Sequence, residues 1–517
     1  MGEGINMQSS VIKKLKLNLV FASIFVLLAL YVSYKFFTDK SWFLSAFFFI
    51  SAILVIYVYF VSKRIPGRYL LPGVLLLCLF QIYPAFYSGY VAFTNDSNGH
   101  QLSKTQALDA IIEDSRIPVE TQDPISYVVA RNLNSYEVVL IFEYPNSQYW
   151  VGNSTSAEEV SPAILHLSGE GKVVGVEGYK ILNSQQSSAL ADKLQSIVIH
   201  LKTGISLQPL DLQTLEAFQP VYKYSATNDL LVNQMSGEKF SPNNNGQMVG
   251  EQGEVLYPGW KSNIGWRNFT SIVHDQEIRR PLLAVLLWTF VNAFLVVVLS
   301  FLMGLALALT FNFQHLRSKR FYRTIFILPM AIPSVLSFLV WSGLFTAETG
   351  VIDRLFHISI PWLTDSFWAR IAVLIVELWI TFPYMFLITT GAVQAIPSEI
   401  IEAASIDGAT TLKSFRLIKL PLVMRTVAPL LVASVAMALN NFGAIYLLTG
   451  GGPTFSNSNG NAGATDILIS YTYKLAFNSQ EGNNYGLASA LSILNFILVG
   501  TISIYGLRRM KTMEGIN

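Results

Sequence analysis

Charge is scarce in this sequence. Only 13% of its 517 residues are Asp, Glu, Lys or Arg while 52% are apolar, so a wholly water-soluble protein is excluded unless the apolar residues are dispersed. They are not dispersed but gathered into long runs. Cysteine is nearly absent, and the single Cys78 can form no disulfide within the chain. The phosphate-cradling Walker A pattern is missing: Gly171-Lys172 is followed by Val173, and the earlier glycine that the pattern needs is not there. Six scattered histidines give no His-Glu-x-x-His spacing, and no Gly-x-Ser-x-Gly elbow occurs. ATP hydrolysis, zinc-dependent hydrolysis and elbow-type serine catalysis thus have nothing to stand on, and the reading is of a protein that is not an enzyme and carries no metal or cofactor. The net charge of +2 matters only through its distribution.

What is present is hydrocarbon of membrane-spanning length. A bilayer core of ~30 Å takes ~20 residues of helix to cross. Leu17 to Phe36, Trp42 to Val61 and Tyr69 to Phe93 meet that test, and so do Leu282 to Phe311, Phe321 to Phe345, Ala369 to Gly391, Thr426 to Leu448 and Leu487 to Leu507. Between the third and fourth runs the chain turns polar, rich in Asn, Ser, Gln and Gly, with strand-like stretches at Tyr136 to Tyr144 and Lys172 to Leu182. The expectation is an all-α polytopic membrane protein of about eight transmembrane helices with an inserted β-rich domain. Residues 1–93 would hold three spans, 94–281 the insertion and 282–517 the remaining five.

Basic residues set the orientation, because segments rich in Lys and Arg stay in the cytoplasm. Lys13, Lys14 and Lys16 precede the first span, and Lys63, Arg64 and Arg68 separate the second from the third. Arg317, Lys319, Arg320 and Arg323 join the fourth and fifth; Lys413, Arg416, Lys419 and Arg425 join the sixth and seventh; Arg508, Arg509 and Lys511 follow the eighth. The three short alternate connections are poor by comparison, with Lys35 and Lys40 in one, Arg354 and Arg370 in another, and Lys474 in a third. Both termini are therefore expected in the cytoplasm, and the insertion is expected to be exported. A cleaved signal peptide is the rival reading of the first run, but the run is long, lacks a small-x-small cleavage site, and its removal would reverse the charge bias.

One cytoplasmic connection stands out, Pro397-Ser-Glu-Ile-Ile-Glu-Ala-Ala-Ser-Ile-Asp-Gly-Ala-Thr-Thr-Leu-Lys-Ser-Phe-Arg-Leu-Ile-Lys-Leu-Pro421. Ser398 is expected to cap a short helix with Glu399 and Glu402 at its positive end, and Gly408 to end it. Thr410 or Thr411 would start a second helix that must stop before Pro421. Read blandly, this is a solvated amphipathic loop. Glu402, Ala403, Ala404, Gly408, Ile418, Leu420 and Pro421, however, match the E-A-A-x(3)-G-x(9)-I-x-L-P loop at every position. The chain thus resembles the binding-protein-dependent permeases of ABC importers, and the resemblance implies that this loop docks into a partner ATPase.

The similarity continues through Leu71-Pro72, Tyr83-Pro84, Ala92-Phe93-Thr94-Asn95, Ser241-Pro-Asn-Asn244, Gly265-Trp-Arg-Asn-Phe269, Leu328-Pro-Met-Ala-Ile-Pro333, Trp379, Pro383-Tyr384, Asn440-Asn441-Phe442 and Gly450-Gly-Gly-Pro453. Eight spans with an insertion after the third are most similar to the maltose/maltodextrin permease family. That family implies the type I ABC importer fold and residence in the bacterial inner membrane. It implies as partners a second permease, an ATPase dimer that carries the ATP and Mg, a periplasmic sugar-binding protein, an oligosaccharide substrate and membrane lipid, with no nucleic acid.

Polar groups inside spans mark pathways by default. Glu377 and the Asn440–Asn441 pair are the strongest cases, whereas Asn292 and Asn495 read as joints between neighbouring helices. The resemblance implies a sugar pocket lined by Glu377, Ile380, Thr381, Tyr384, Ser434, Met437, Ala438 and Asn441. Glu377 and Ala438 stand where the maltose permease has asparagines, and Met437 where it has an aromatic. A membrane-anchored sensor or assembly protein with an exported ligand-binding domain is the alternative from another class. A secondary transporter is the weaker one, because the two halves show no evident repeat.

Overall fold

A computed structural model describes residues 2–62, 65–119, 124–144, 148–168, 173–201, 204–311, 318–346, 350–456, 458, 461–479 and 482–514. Lys63, Arg64, Gly171, Lys172 and Arg317 lie outside them. The chain divides into two compact units, residues 1–92 with 489–505 and residues 93–488 with 506–517. Among the described residues, seven helices are long and apolar enough to cross a bilayer, and a bent pair, Arg320–Ala331 with Ser334–Leu344, makes an eighth if it is one span.

The first unit carries the spans Val20–Thr38, Trp42–Val61 and Pro66–Val91. The first two form a helical hairpin sealed by a reciprocal serine pair. Ser33 Oγ donates to the Ser45 carbonyl at 2.9 Å and Ser45 Oγ to that of Ser33 at 3.0 Å. Such small hydroxyl residues let backbones approach where lipid offers no hydrophobic drive for association. Large side chains such as Leu27, Leu28, Phe43 and Phe49 point outward.

In the second unit, the insertion contains an antiparallel sheet of eleven strands and a separate five-stranded meander, Tyr222–Ser225 to Val255–Leu256. The larger sheet has Ile125–Asn132 beside Val138–Glu143 on one flank and Thr214–Pro220 on the other. Val138–Glu143 falls within the strand expected at 136–144, but it is a continuous apolar run because both its faces are covered. Val138, Leu140 and Phe142 enter one core with Leu194, Ile199 and Leu207, while Val139 and Ile141 enter another with Val151, Val160 and Val176. The meander packs Leu231, Phe240 and Met248 under the helix Lys104–Asp114 through Ala107, Leu108 and Ile111.

The long helices Gln276–Phe311 and Ser366–Gln394 pair closely. Val285, Trp288, Thr289, Asn292, Val296, Ser300 and Gly304 share the buried stripe of the first, while Leu287 and Phe294 face outward. A Cβ at Gly304 would sit 2.6 Å from the Met385 carbonyl carbon, so only glycine permits this approach.

Three expectations are corrected. The fifth span is not one rod: its halves meet at 91°, because Pro333 disfavours helical backbone at Ile332, which is extended instead. The seventh span is not Thr426 to Leu448; it runs Thr411–Leu439, breaks at Asn440 and Asn441, and is followed by the short helix Phe442–Leu448. The helix starting at Thr411 does not stop before Pro421. Its turn Phe415–Lys419 is widened to i→i+5 bonding just before the proline, which moves backbone carbonyls clear of the ring. The same device, Cys78–Ile82, precedes Pro84 in the third span.

Candidate functional site

The connection at 397–421 folds as two short helices around a glycine. The first is Ser398–Ile406; Ser398 is its first helical residue and Pro397 its cap position, so the expected serine cap is not made. Gly408 takes φ +76, a left-handed conformation that costs an L side chain roughly 1–2 kcal/mol. From there its N–H reaches the Ser405 carbonyl at 3.1 Å, and the N–H of Ala409 reaches that of Ala404 at 2.9 Å. Thr410 caps the next helix, its Oγ1 accepting from the Lys413 N–H. Ala404 is buried, Glu402, Ala403, Gly408 and Pro421 are exposed, and Ile418 and Leu420 are half-buried. Ile406, Leu412 and Leu417 also project into the open, at 86%, 74% and 64% exposure. Apolar side chains ringed by Glu402, Lys413 and Arg416 are what a protein partner would cover.

The second candidate lies in the spans. Glu377, Ile380, Thr381 and Tyr384 recur every three or four residues along Ser366–Gln394 and so share one face. Ser434, Met437 and Ala438 do the same along Leu420–Leu439, and Asn441 stands in the break beyond. The two stripes meet at a hydrogen bond, Asn441 Nδ2 donating to Glu377 Oε1 at 2.7 Å. Glu377 is only 1% exposed, and its other oxygen accepts from Asn292 Nδ2 at 2.7 Å. Asn292 is indeed a joint between helices, with Glu377 as its partner. Glu377 stands behind Asn441 instead of lining an accessible wall. The Ser434 hydroxyl is buried and donates to the Leu430 carbonyl of its own helix at 2.8 Å. Ile380, Thr381 and Tyr384 are half-buried, Ala438 is buried and Met437 is 75% exposed. Trp379 packs its ring at 5.7 Å against Trp341, edge to face.

Residues 278–510 match the family described as "Binding-protein-dependent transport system inner membrane component", and residues 75–155 match "N-terminal of TM subunit in PBP-dependent ABC transporters". The maltose/maltodextrin transport system permease protein MalF of Vibrio vulnificus strain YJ016 is 32% identical over 480 residues, covering 89% of this chain and 88% of the relative. The protein of that description from Yersinia pestis is 32% identical over 479 residues, with coverage of 89% and 87%. The chain belongs to the MalF family. It is accordingly a multi-pass inner-membrane permease of a binding-protein-dependent transport system. A bacterial ABC transporter involved in alginate import has a TM-score of 0.42 at 23% identity, covering 48% of this chain and 84% of that one.

In this MalF-family chain one further cluster escaped the sequence reading. The segment after the Gly450-Gly-Gly-Pro453 turn wraps a buried ion pair, Lys474 Nζ to Asp466 Oδ2 at 2.7 Å, with the two side chains 8% and 0% exposed. Asp466 also accepts from the Gly463 N–H and the Ser470 hydroxyl, each at 2.8 Å. Gly451, at φ +81, lies so close that any Cβ would collide with the Asp466 carboxylate. The segment is pinned to two long helices. Trp288 Nε1 donates to the Thr465 carbonyl at 3.2 Å, the Leu468 N–H to Thr289 Oγ1 at 2.9 Å, and Arg370 Nε to the Ala464 carbonyl at 2.8 Å. In the sequence Lys474 and Arg370 read only as sparse loop charges. The available signal was a lone acid and a lone base eight residues apart in an otherwise uncharged stretch, 455–478.

Proposed function

We propose that this permease carries maltose/maltodextrin-type oligosaccharides inward across the bacterial inner membrane, powered by ATP hydrolysed on a partner. The observation that carries the reading is the exposed two-helix knob around Gly408, set in a chain of the MalF family. Such a knob has the size and mixed apolar and charged surface to seat in a cleft of a MalK-type ATPase dimer, which would bind the ATP and Mg. A MalG-type second permease would complete the membrane path. The inserted domain would face the periplasm, with both termini cytoplasmic, and would receive a sugar-binding protein. These two placements are supported by the alternation of basic connections along the sequence.

No covalent chemistry is required of this chain. Closure of the ATPase dimer would move the knob, and the helix Thr411–Leu439 is continuous from the knob's second helix into the membrane, so displacement at Gly408 reaches the break at Asn440 and Asn441. There a sugar would find the half-buried ring of Tyr384 for its C–H face and Asn441 and Thr381 for its hydroxyls. Uptake by vesicles holding the whole complex tests this reading. Maltose and longer maltodextrins should be taken up and should compete, and Tyr384→Ala or Asn441→Ala should weaken uptake. Transport of lactose, indifferent to both changes, would overturn the substrate and the pocket. Recovery of the gently solubilised protein without an ATPase subunit would overturn the importer.

A further inference from the structure

We infer that Asn292, which no substrate can touch, decides which hydrogen-bonding group Asn441 offers to a transported sugar, and that it does so through Glu377. This rests on the sugar-pocket reading above. Three side chains stand in line, two from the long helices Gln276–Phe311 and Ser366–Gln394 and one from the break between Leu439 and Phe442. Asn292 is fully buried and Glu377 is 1% exposed, while Asn441 is half-buried and alone reaches accessible surface. The Glu377 carboxylate has no proton to give when both its oxygens accept, one from Asn292 Nδ2 and one from Asn441 Nδ2, each at 2.7 Å. One N–H of Asn441 is therefore committed inward, which fixes the orientation of the amide and presents its Oδ1 to a ligand.

An asparagine side chain is ambiguous by itself, because turning the amide over exchanges donor and acceptor at little cost. Backed by a carboxylate, it is not. The terminal torsion of a glutamate is broad, so one bond alone would leave the carboxylate free to swing. Asn292 removes that freedom by holding the second oxygen. The cost is visible in the fold, since Asn292 Oδ1 is buried with no hydrogen-bond partner among the described residues. A partnerless buried oxygen is unfavourable, so the orientation is imposed by Glu377 and not by the surroundings of Asn292. Asn292 is a positioning residue, and the ligand group selected at Asn441 is a hydroxyl that donates.

The order of donors and acceptors along the line supplies the test. Asn292→Asp alone sets two carboxylates face to face. Paired with Glu377→Gln it rebuilds the line with the polarity at Asn441 unchanged, because the amide introduced at position 377 donates to the carboxylate introduced at position 292 and still accepts from Asn441. Binding of labelled maltotriose to the complete solubilised importer should weaken about tenfold in Asn292→Leu and more in Asn292→Asp. In Asn292→Asp/Glu377→Gln it should return to within about twofold of the unmodified complex. The yield of Asn292→Leu recovered in the assembled complex should match that of the unmodified protein, which a general loss of structure would not allow. Unchanged sugar affinity in Asn292→Leu, or no recovery in the double variant, overturns the inference. If Asn292→Leu fails to assemble, Asn292→Ser carries the same comparison. Should Asn441→Ala leave affinity unchanged, the pocket reading itself falls; an effect at Asn441 without one at Asn292 removes only the present inference.

Discussion

Gly408 is in the left-handed region with no atom beyond its chain neighbours within 4 Å of where a Cβ would lie, so its backbone angle alone demands glycine. Gly408→Pro cannot adopt that angle, and Glu402→Lys reverses the charge on an exposed face of the knob. Both variants should insert in the membrane yet lose sugar uptake; full uptake by either would remove the coupling role. Residue-scale electrostatics gives a second expectation. Lys474→Met leaves the buried Asp466 carboxylate without its cation, a change that typically costs about 3–5 kcal/mol. The melting temperature of the detergent-solubilised protein should fall clearly, and adding Asp466→Leu should recover part of the loss. An unchanged melting temperature in Lys474→Met would mean that the pair contributes no stability.

At the scale of elements, helices in lipid gain little by burying Leu against Leu, so the closeness of two backbones carries their association. Gln276–Phe311 and Ser366–Gln394 meet through Gly304, where a Cβ would strike backbone atoms of Met385 and Phe386 that cannot turn aside. Gly304→Leu should force them apart and destabilise the permease by more than the ~1–3 kcal/mol usual for overpacking. The yield of intact complex after solubilisation measures this, and an undiminished yield would contradict the close approach. The widened turns before Pro84 and Pro421 belong to the same scale. A proline in sequence reads as a stop, but a helix can pass through it at the expense of one irregular turn. That is why the stop expected before Pro421 is absent and why the second helix of the knob is continuous with a span.

On the scale of the whole molecule, the described residues of the insertion form three apolar cores of their own, in and beside its two sheets. Residues 94–276 expressed alone should therefore fold and give dispersed amide resonances; a random-coil spectrum would refute this. The sequence by itself determined the membrane class, the presence of the long apolar spans, the polar insertion and the knob. Each is written in local composition or fixed spacing, and a ~20-residue apolar run has few other uses. Tertiary structure decided the rest. The 91° bend, the break at Asn441, the line from Asn292 through Glu377 and the burial of Asp466 against Lys474 depend on which helix faces come together. Asn292 and Glu377 are 85 positions apart in the chain, and a 2.7 Å bond over that separation leaves no local pattern to read.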